Sequence, residues 1–137
     1  MPARIDKKLD KIIRRRFTAA FMSNAKWRKL FTALDCPELQ IDQVICKFID
    51  GTAECRGPMI KSKALTEKYV GDYGLGPFGS KHIEWIEIPS KNIPFNYERD
   101  PSKHSDQDIS GALEILNKIG QFEITITERG LRIYGFK

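Results

Sequence analysis

The stretch Gly74-Leu75-Gly76-Pro77-Phe78-Gly79 matches G-x-G-x-x-G, the spacing with which a glycine turn cradles a dinucleotide pyrophosphate. That chemistry needs a buried strand to deliver the chain into the turn, and a helix whose N-terminus then holds the phosphates. Here the preceding segment from Glu67 to Tyr73 makes a poor buried strand, Pro77 stiffens the middle of the motif, and a strand pattern follows Gly79. The match therefore reads as a turn feeding the chain into that strand, with glycines supplying permissive backbone angles.

His82 precedes Glu84 by two residues and is close in sequence to Tyr73, Asp72 and Ser80, so a general base beside a loop is one reading. In a strand the two side chains share a face, and a hydrogen-bonded structural or surface pair is the stronger reading. No nucleophile or metal-ligand spacing joins them. His104 sits in a polar loop, and Cys36, Cys46 and Cys55 form no C-x-x-C pair. No metal or cofactor site is expected.

The net charge of +5 over 137 residues is unevenly spread. Residues 1–31 carry ten Lys/Arg against Asp6 and Asp10, while the remainder holds thirteen against sixteen Asp/Glu. The basic character thus belongs to the N-terminal segment, and the body is mildly acidic. The chain is long enough to bury a core without a metal or disulfide. It lacks an apolar run of membrane-spanning length and a secretory leader pattern, and its cysteine count is odd; a cytoplasmic location is expected.

The elements follow from periodicity. Ile5, Leu9, Ile12, Ile13, Phe17, Ala20 and Phe21 recur at helical spacing among Lys and Arg, a basic amphipathic helix over 1–21. Its surface, with Arg14, Arg15 and Arg16, can meet nucleic-acid phosphates or an anionic membrane face, or simply stay solvated while the apolar stripe packs on the body or a second copy. Residues 1–22 are accordingly expected as an extension to a domain spanning 23–137. Ser23 or Asn24 caps a second helix with Trp27, Leu30, Phe31 and Leu34 inward, ended by Cys36-Pro37.

Asp50-Gly51 predicts a type I′ hairpin turn, with positive φ at both central residues. That turn sets Lys47 opposite Glu54 and Cys46 opposite Cys55. The cysteines read as two small hydrophobes side by side, with a redox-sensitive cross-strand disulfide as the alternative. Residues 57–80 read as a long covering or functional loop. Residues 81–88 form a strand whose apolar phase shifts between Trp85 and Ile86, hence bulged or buried on both faces. Ser105 is expected to cap a helix carrying Ile109, Leu113, Leu116 and Ile119, stopped by Gly120. A final hairpin around Arg129-Gly130 pairs Ile126 with Ile133 and keeps Leu131 on the same apolar face. The fold class is therefore α+β: an antiparallel sheet of two hairpins and a central strand, with helices on one face.

Three blocks, "NAKWRKLF", "GPFGSKHIEWIEI" and "ITERGLRIYGF", resemble those of a family of small bacterial proteins classified as a domain of unknown function, over residues 24–137. The resemblance implies no catalytic residues. By analogy it implies an immunity or antitoxin-like protein that occludes a partner. The leading expectation is a non-catalytic protein-binding module, with Tyr73, Phe78, His82 and Glu84 around the glycine loop, or Arg14 to Arg16, as partner-binding candidates. The alternatives are a nucleic-acid-associated protein acting through residues 1–21 and a small enzyme built on His82 and Glu84.

Overall fold

Trp27, Leu30, Phe31 and Leu34 are the four residues that helix α2 (Asn24–Leu34) buries, and the Ser23 hydroxyl caps it by accepting the Lys26 N–H at 3.1 Å. A computed structural model describes residues 2–51, 53–61, 69–70, 78–79 and 82–137, with side chains over 8–51, 53–61 and 82–137. Helix α1 spans Pro2–Arg16 and α3 spans Ile109–Ile119. The strands are β1 (Gln43–Phe48), β2 (Glu54–Pro58), β3 (Tyr69–Val70), β4 (Phe78–Gly79), β5 (Ile83–Pro89), β6 (Lys91–Asn92), β7 (Ser105–Asp106), β8 (Ile124–Ile126) and β9 (Gly130–Tyr134).

Five strands form one antiparallel sheet in the order β2-β1-β5-β9-β8, with β5 at the centre between two hairpins. Cys55, Cys46, Ile86, Ile133 and Ile124 line up as one cross-strand row. α2 and α3 pack on this face, closing a core with Val44, Ile88, Leu131, Ala112 and Leu116. The next row over, Arg56, Ile45, Glu87, Arg132 and Thr125, points to the opposite face.

The phase shift in β5 has a local cause. Lys47 pairs with Trp85 but Phe48 pairs with Ile83, so Glu84 is an extra residue in β5. Because of it, Ile83, Ile86 and Ile88 all join the helical core, while Trp85 and Glu87 turn to the other face. The strand is bulged and also buried on both faces.

The first hairpin has the expected register, with Cys46 opposite Cys55 and Lys47 opposite Glu54. Its turn is different. Asp50 does not take a positive φ, and the Gly51 N–H donates to Phe48 O at 3.4 Å, so the bend centres on Ile49 and Asp50. Ile49 is fully buried and its N–H donates to His82 O at 2.9 Å; holding that side chain inward displaces the type I′ geometry.

The second hairpin slips by two residues from expectation. Ile124 faces Ile133 and Ile126 faces Leu131, because the bend falls at Glu128-Arg129, with the Thr127 N–H donating to Gly130 O at 2.7 Å. Parity of the faces survives such a slip, whereas the partner of Ile126 does not. Ile126 lies on the edge strand and is exposed. Gly130 belongs to β9, where a Cβ would sit 2.0 Å from the Ile88 carbonyl oxygen. Close approach to β5, not turn geometry, requires glycine there.

Helix α3 is capped by Asp108, whose carboxylate accepts the Gly111 N–H at 2.9 Å, and not by Ser105. Ser105 and Asp106 are taken up by pairing with Lys91 and Asn92. Gly120 closes the helix as expected, its N–H donating to Leu116 O at 3.3 Å.

Helix α1 docks on its own chain. Leu9 is buried against Ile49 and Phe136, with Ile12, Ile13 and Phe17 around it, and the Phe17 and Phe136 ring centroids are 5.4 Å apart. The following segment is stitched to the last residues: the Thr18 and Ala19 N–H groups donate to Lys137 O, at 2.8 and 3.1 Å, and the Phe21 N–H donates to Gly135 O.

Candidate functional site

Glu84, the bulge residue, is the meeting point of α1 and the sheet. Its backbone oxygen accepts the N–H groups of both Gly135 and Phe136, at 2.7 and 3.1 Å. Its carboxylate receives the Lys47 ammonium, and Arg16 lies 3.6 Å away. Arg16 also donates to Ile49 O at 2.7 Å, so it fastens the end of α1 to the body. Arg14 and Arg15, in the same last turn of α1, are exposed. His82 is half-buried just before β5, and its carbonyl holds Ile49. Of the seven residues singled out in the sequence, Arg16, His82 and Glu84 are thus brought together around Ile49. Tyr73 lies outside the described residues, as does the glycine stretch up to Pro77. Phe78 is described only as the β4 partner of Val70.

The second cluster covers the face opposite the helices. Glu87 is fully buried at the centre of β5. Arg129 Nε lies 2.6 Å from one carboxylate oxygen, and Arg132 Nε donates to the other at 3.0 Å, where the Thr127 hydroxyl also donates at 2.9 Å. The Arg132 guanidinium carbon sits 3.8 Å from the Trp85 ring centroid. Arg129 forks onto Glu54 of β2, with N–O distances of 2.8 and 3.2 Å. The hydrogen bond from Arg129 is the largest influence on the Glu54 carboxyl; burial opposes it, and with the added charges of Arg129, Arg132 and Lys47 the carboxyl is held below the usual glutamate range. Such a network locks β2, β5 and β9 together across the sheet. Its charges are satisfied by each other.

The third feature is the connection from β6 to β7. The Gln43 amide accepts the Ile93 N–H and donates to Ile93 O, both at 2.9 Å, anchoring the start of the loop to β1. Pro94 O then accepts the Tyr97 N–H at 3.0 Å, and Asn96 has φ 71°, the left-handed angle that a type II turn needs at its third residue. The turn is held further by the Asp100 N–H on Tyr97 O and by the His104 ring nitrogen 2.7 Å from that oxygen. Phe95 stands at its tip, 85% exposed, with Tyr97 44% exposed beside it. A groove runs from Phe95 past Gln43 and Arg56 to Gly57 and Pro58 of the edge strand β2. In the sequence, Pro89 to Pro101 reads only as a polar, proline-bearing connection. Two aromatics framed by prolines in "IPFNYERDP" were the signal that could have marked it.

Among the described residues no cluster of His, Cys, Asp or Glu can hold a metal ion, and no helix is long and apolar enough to cross a membrane.

A bulged five-stranded antiparallel sheet with helices on one face and a salt-bridge network on the other defines an α+β protein. The chain belongs to a family of unknown function, DUF6678, whose model matches residues 9–137. The match begins inside α1, not at Asn24, so the second half of the basic helix is part of the family's domain. No curated protein and no solved structure matches the chain.

Proposed function

We propose that this chain is a non-catalytic protein-binding module whose partner docks on the Phe95–Tyr97 turn and the adjoining β2 edge. The observation that carries the reading is Phe95, an aromatic 85% exposed on a turn held by backbone hydrogen bonds and by the Gln43 clamp. A large apolar side chain on a preorganised support is how interface anchors are presented, since little ordering entropy is lost on binding. The groove beside it, running past Gln43 to Gly57 and Pro58, gives such a partner a concave surface next to the anchor. The carboxylates of Glu84 and Glu87 are engaged by Lys47, Arg129 and Arg132, which favours a structural role for them over a catalytic one. An immunity or antitoxin-like role is the narrower form of the proposal, and the odd number of cysteines supports a cytoplasmic setting for it.

The test compares tagged wild-type protein with the double variant Phe95→Ala/Tyr97→Ala in extracts of the native host. The proposal expects one protein recovered in stoichiometric amount by the wild type and lost with the variant. Truncating an anchor costs about 2 kcal/mol or more, roughly 30-fold in affinity. Both residues are exposed, so the thermal midpoint should hold. Equal recovery by both proteins, or recovery by neither, would overturn it.

A further inference from the structure

The outer face of α1 carries charge that nothing else among the described residues uses. Lys8, Lys11, Arg14 and Arg15 are all exposed, and no described acidic residue lies within ion-pair distance of them. At about 100° per residue they fall within roughly a third of the helix circumference. That arc lies away from Leu9 and Ile13, which hold the helix on Ile49 and Phe136. Elsewhere in the described chain, Lys47, Lys61, Lys91, Lys118, Arg129, Arg132 and Lys137 each lie beside a carboxylate. Arg14 and Arg15 in the last turn also complement the helix dipole. That accounts for neither Lys8 nor Lys11, which sit further back.

We infer that this face binds the phosphodiester backbone of nucleic acid, without reading its sequence. The partner must be strongly anionic, because the row presents cations and no exposed apolar anchor. A membrane surface fits poorly: a helix lying on a bilayer sinks its apolar stripe into the acyl boundary, and here that stripe is committed to Ile49 and Phe136. A repeating phosphate polymer fits the geometry. From Lys8 to Arg15 the helix rises about 10 Å, and one strand of a duplex advances 3.4 Å per phosphate, so the row spans about three phosphates. The docked helix is held by Arg16 on Ile49 O and Glu84, so little order has to be created on contact.

The test is a titration of the full chain against a fluorescent 20-bp duplex of arbitrary sequence at several salt concentrations. Three to four phosphate contacts predict that log K falls against log salt with a slope near −3, so affinity drops about 40- to 150-fold between 50 and 200 mM. The variant Lys8→Gln/Lys11→Gln/Arg14→Gln/Arg15→Gln should bind at least tenfold more weakly at 50 mM, with a shallower slope and an unchanged thermal midpoint. A control, Lys29→Gln/Arg99→Gln/Lys118→Gln, removes three exposed charges elsewhere and should keep the wild-type slope. Phe95→Ala/Tyr97→Ala should also bind the duplex normally, which separates this inference from the proposed function. No binding at 50 mM, an equal loss in the control, or equally tight binding to polyglutamate or anionic phospholipid vesicles would overturn it.

Discussion

The guanidinium carbon of Arg132 lies over the Trp85 ring, 3.8 Å from its centroid, while the Arg132 Nε reaches across to Glu87. One side chain thereby covers an indole and neutralises a buried carboxylate. The two roles have different consequences on mutation. Glu87→Gln keeps the shape and leaves two arginines that reach solvent, so it should cost about 1–2 kcal/mol. Removing both arginines, as Arg129→Ala/Arg132→Ala, strands a charge with no solvent access and should cost about 3–5 kcal/mol. Urea melts of the two variants give the order directly.

Gly130 and Gly120 should respond oppositely to alanine. A Cβ at Gly130 would meet the Ile88 carbonyl at 2.0 Å, and backbone in the sheet centre cannot step aside. Gly130→Ala should lose on the order of 2–4 kcal/mol, or prevent folding. At Gly120 the nearest atoms are 3.5 Å away in Phe122, and φ 170° is ordinary extended backbone. Gly120→Ala should stay within about 0.5 kcal/mol of wild type in the same melts.

Gln107 uses its whole side-chain amide. Its oxygen accepts the N–H groups of Asp42 and Gln43, both at 2.8 Å, and its nitrogen donates to Gln43 O and Pro89 O at 3.1 and 2.8 Å. Gln107→Glu preserves the volume but sets a carboxylate against two carbonyls. It should destabilise by about 2–4 kcal/mol at neutral pH, and lowering the pH toward 5 should recover part of the loss as the acid regains a proton to donate.

Acid should loosen the strap between β2 and the β8–β9 bend. The folded-state pKa of Glu54 is depressed, first by the hydrogen bond from Arg129, so its contribution is present above the unfolded glutamate value of about 4.3 and is lost as pH falls through the lower folded value. Arg129 is raised by the same bond, from a value already above the working range, and adds no pH dependence near neutrality. Thermal midpoints of wild type and Glu54→Gln should therefore converge below pH 4 and separate above it.

The elements legible in advance were those governed by one dominant constraint. Four apolar residues defined α2, and the Asp50-Gly51 signal, supported by the Lys47–Glu54 match, led to the register of the first hairpin. What escaped notice depended on contacts distant in the chain. Gly130 looked like a turn residue because its neighbour across β5 was invisible, and Ser105 looked like a cap because its pairing with Asn92 was too. The charged cluster on Glu87 could not be assembled from a line of text, since its members come from β2, β5 and the β8–β9 hairpin. Of the anticipated contact residues, Glu84 and Arg16 proved to be neighbours without any sequence signal linking them.

The additional residue at Glu84 makes the centre of the sheet intolerant of length change. Upstream of it odd-numbered Ile83 faces the helices; downstream the even-numbered Ile86 and Ile88 do. Deleting one residue there would leave the composition intact but exchange the inward and outward sets on one side. Either Ile83 would leave the core or Glu87 would enter it. A single-residue deletion within 83–88 should therefore be tolerated far less well than a conservative substitution there, and the bulge works as a ruler for the strand.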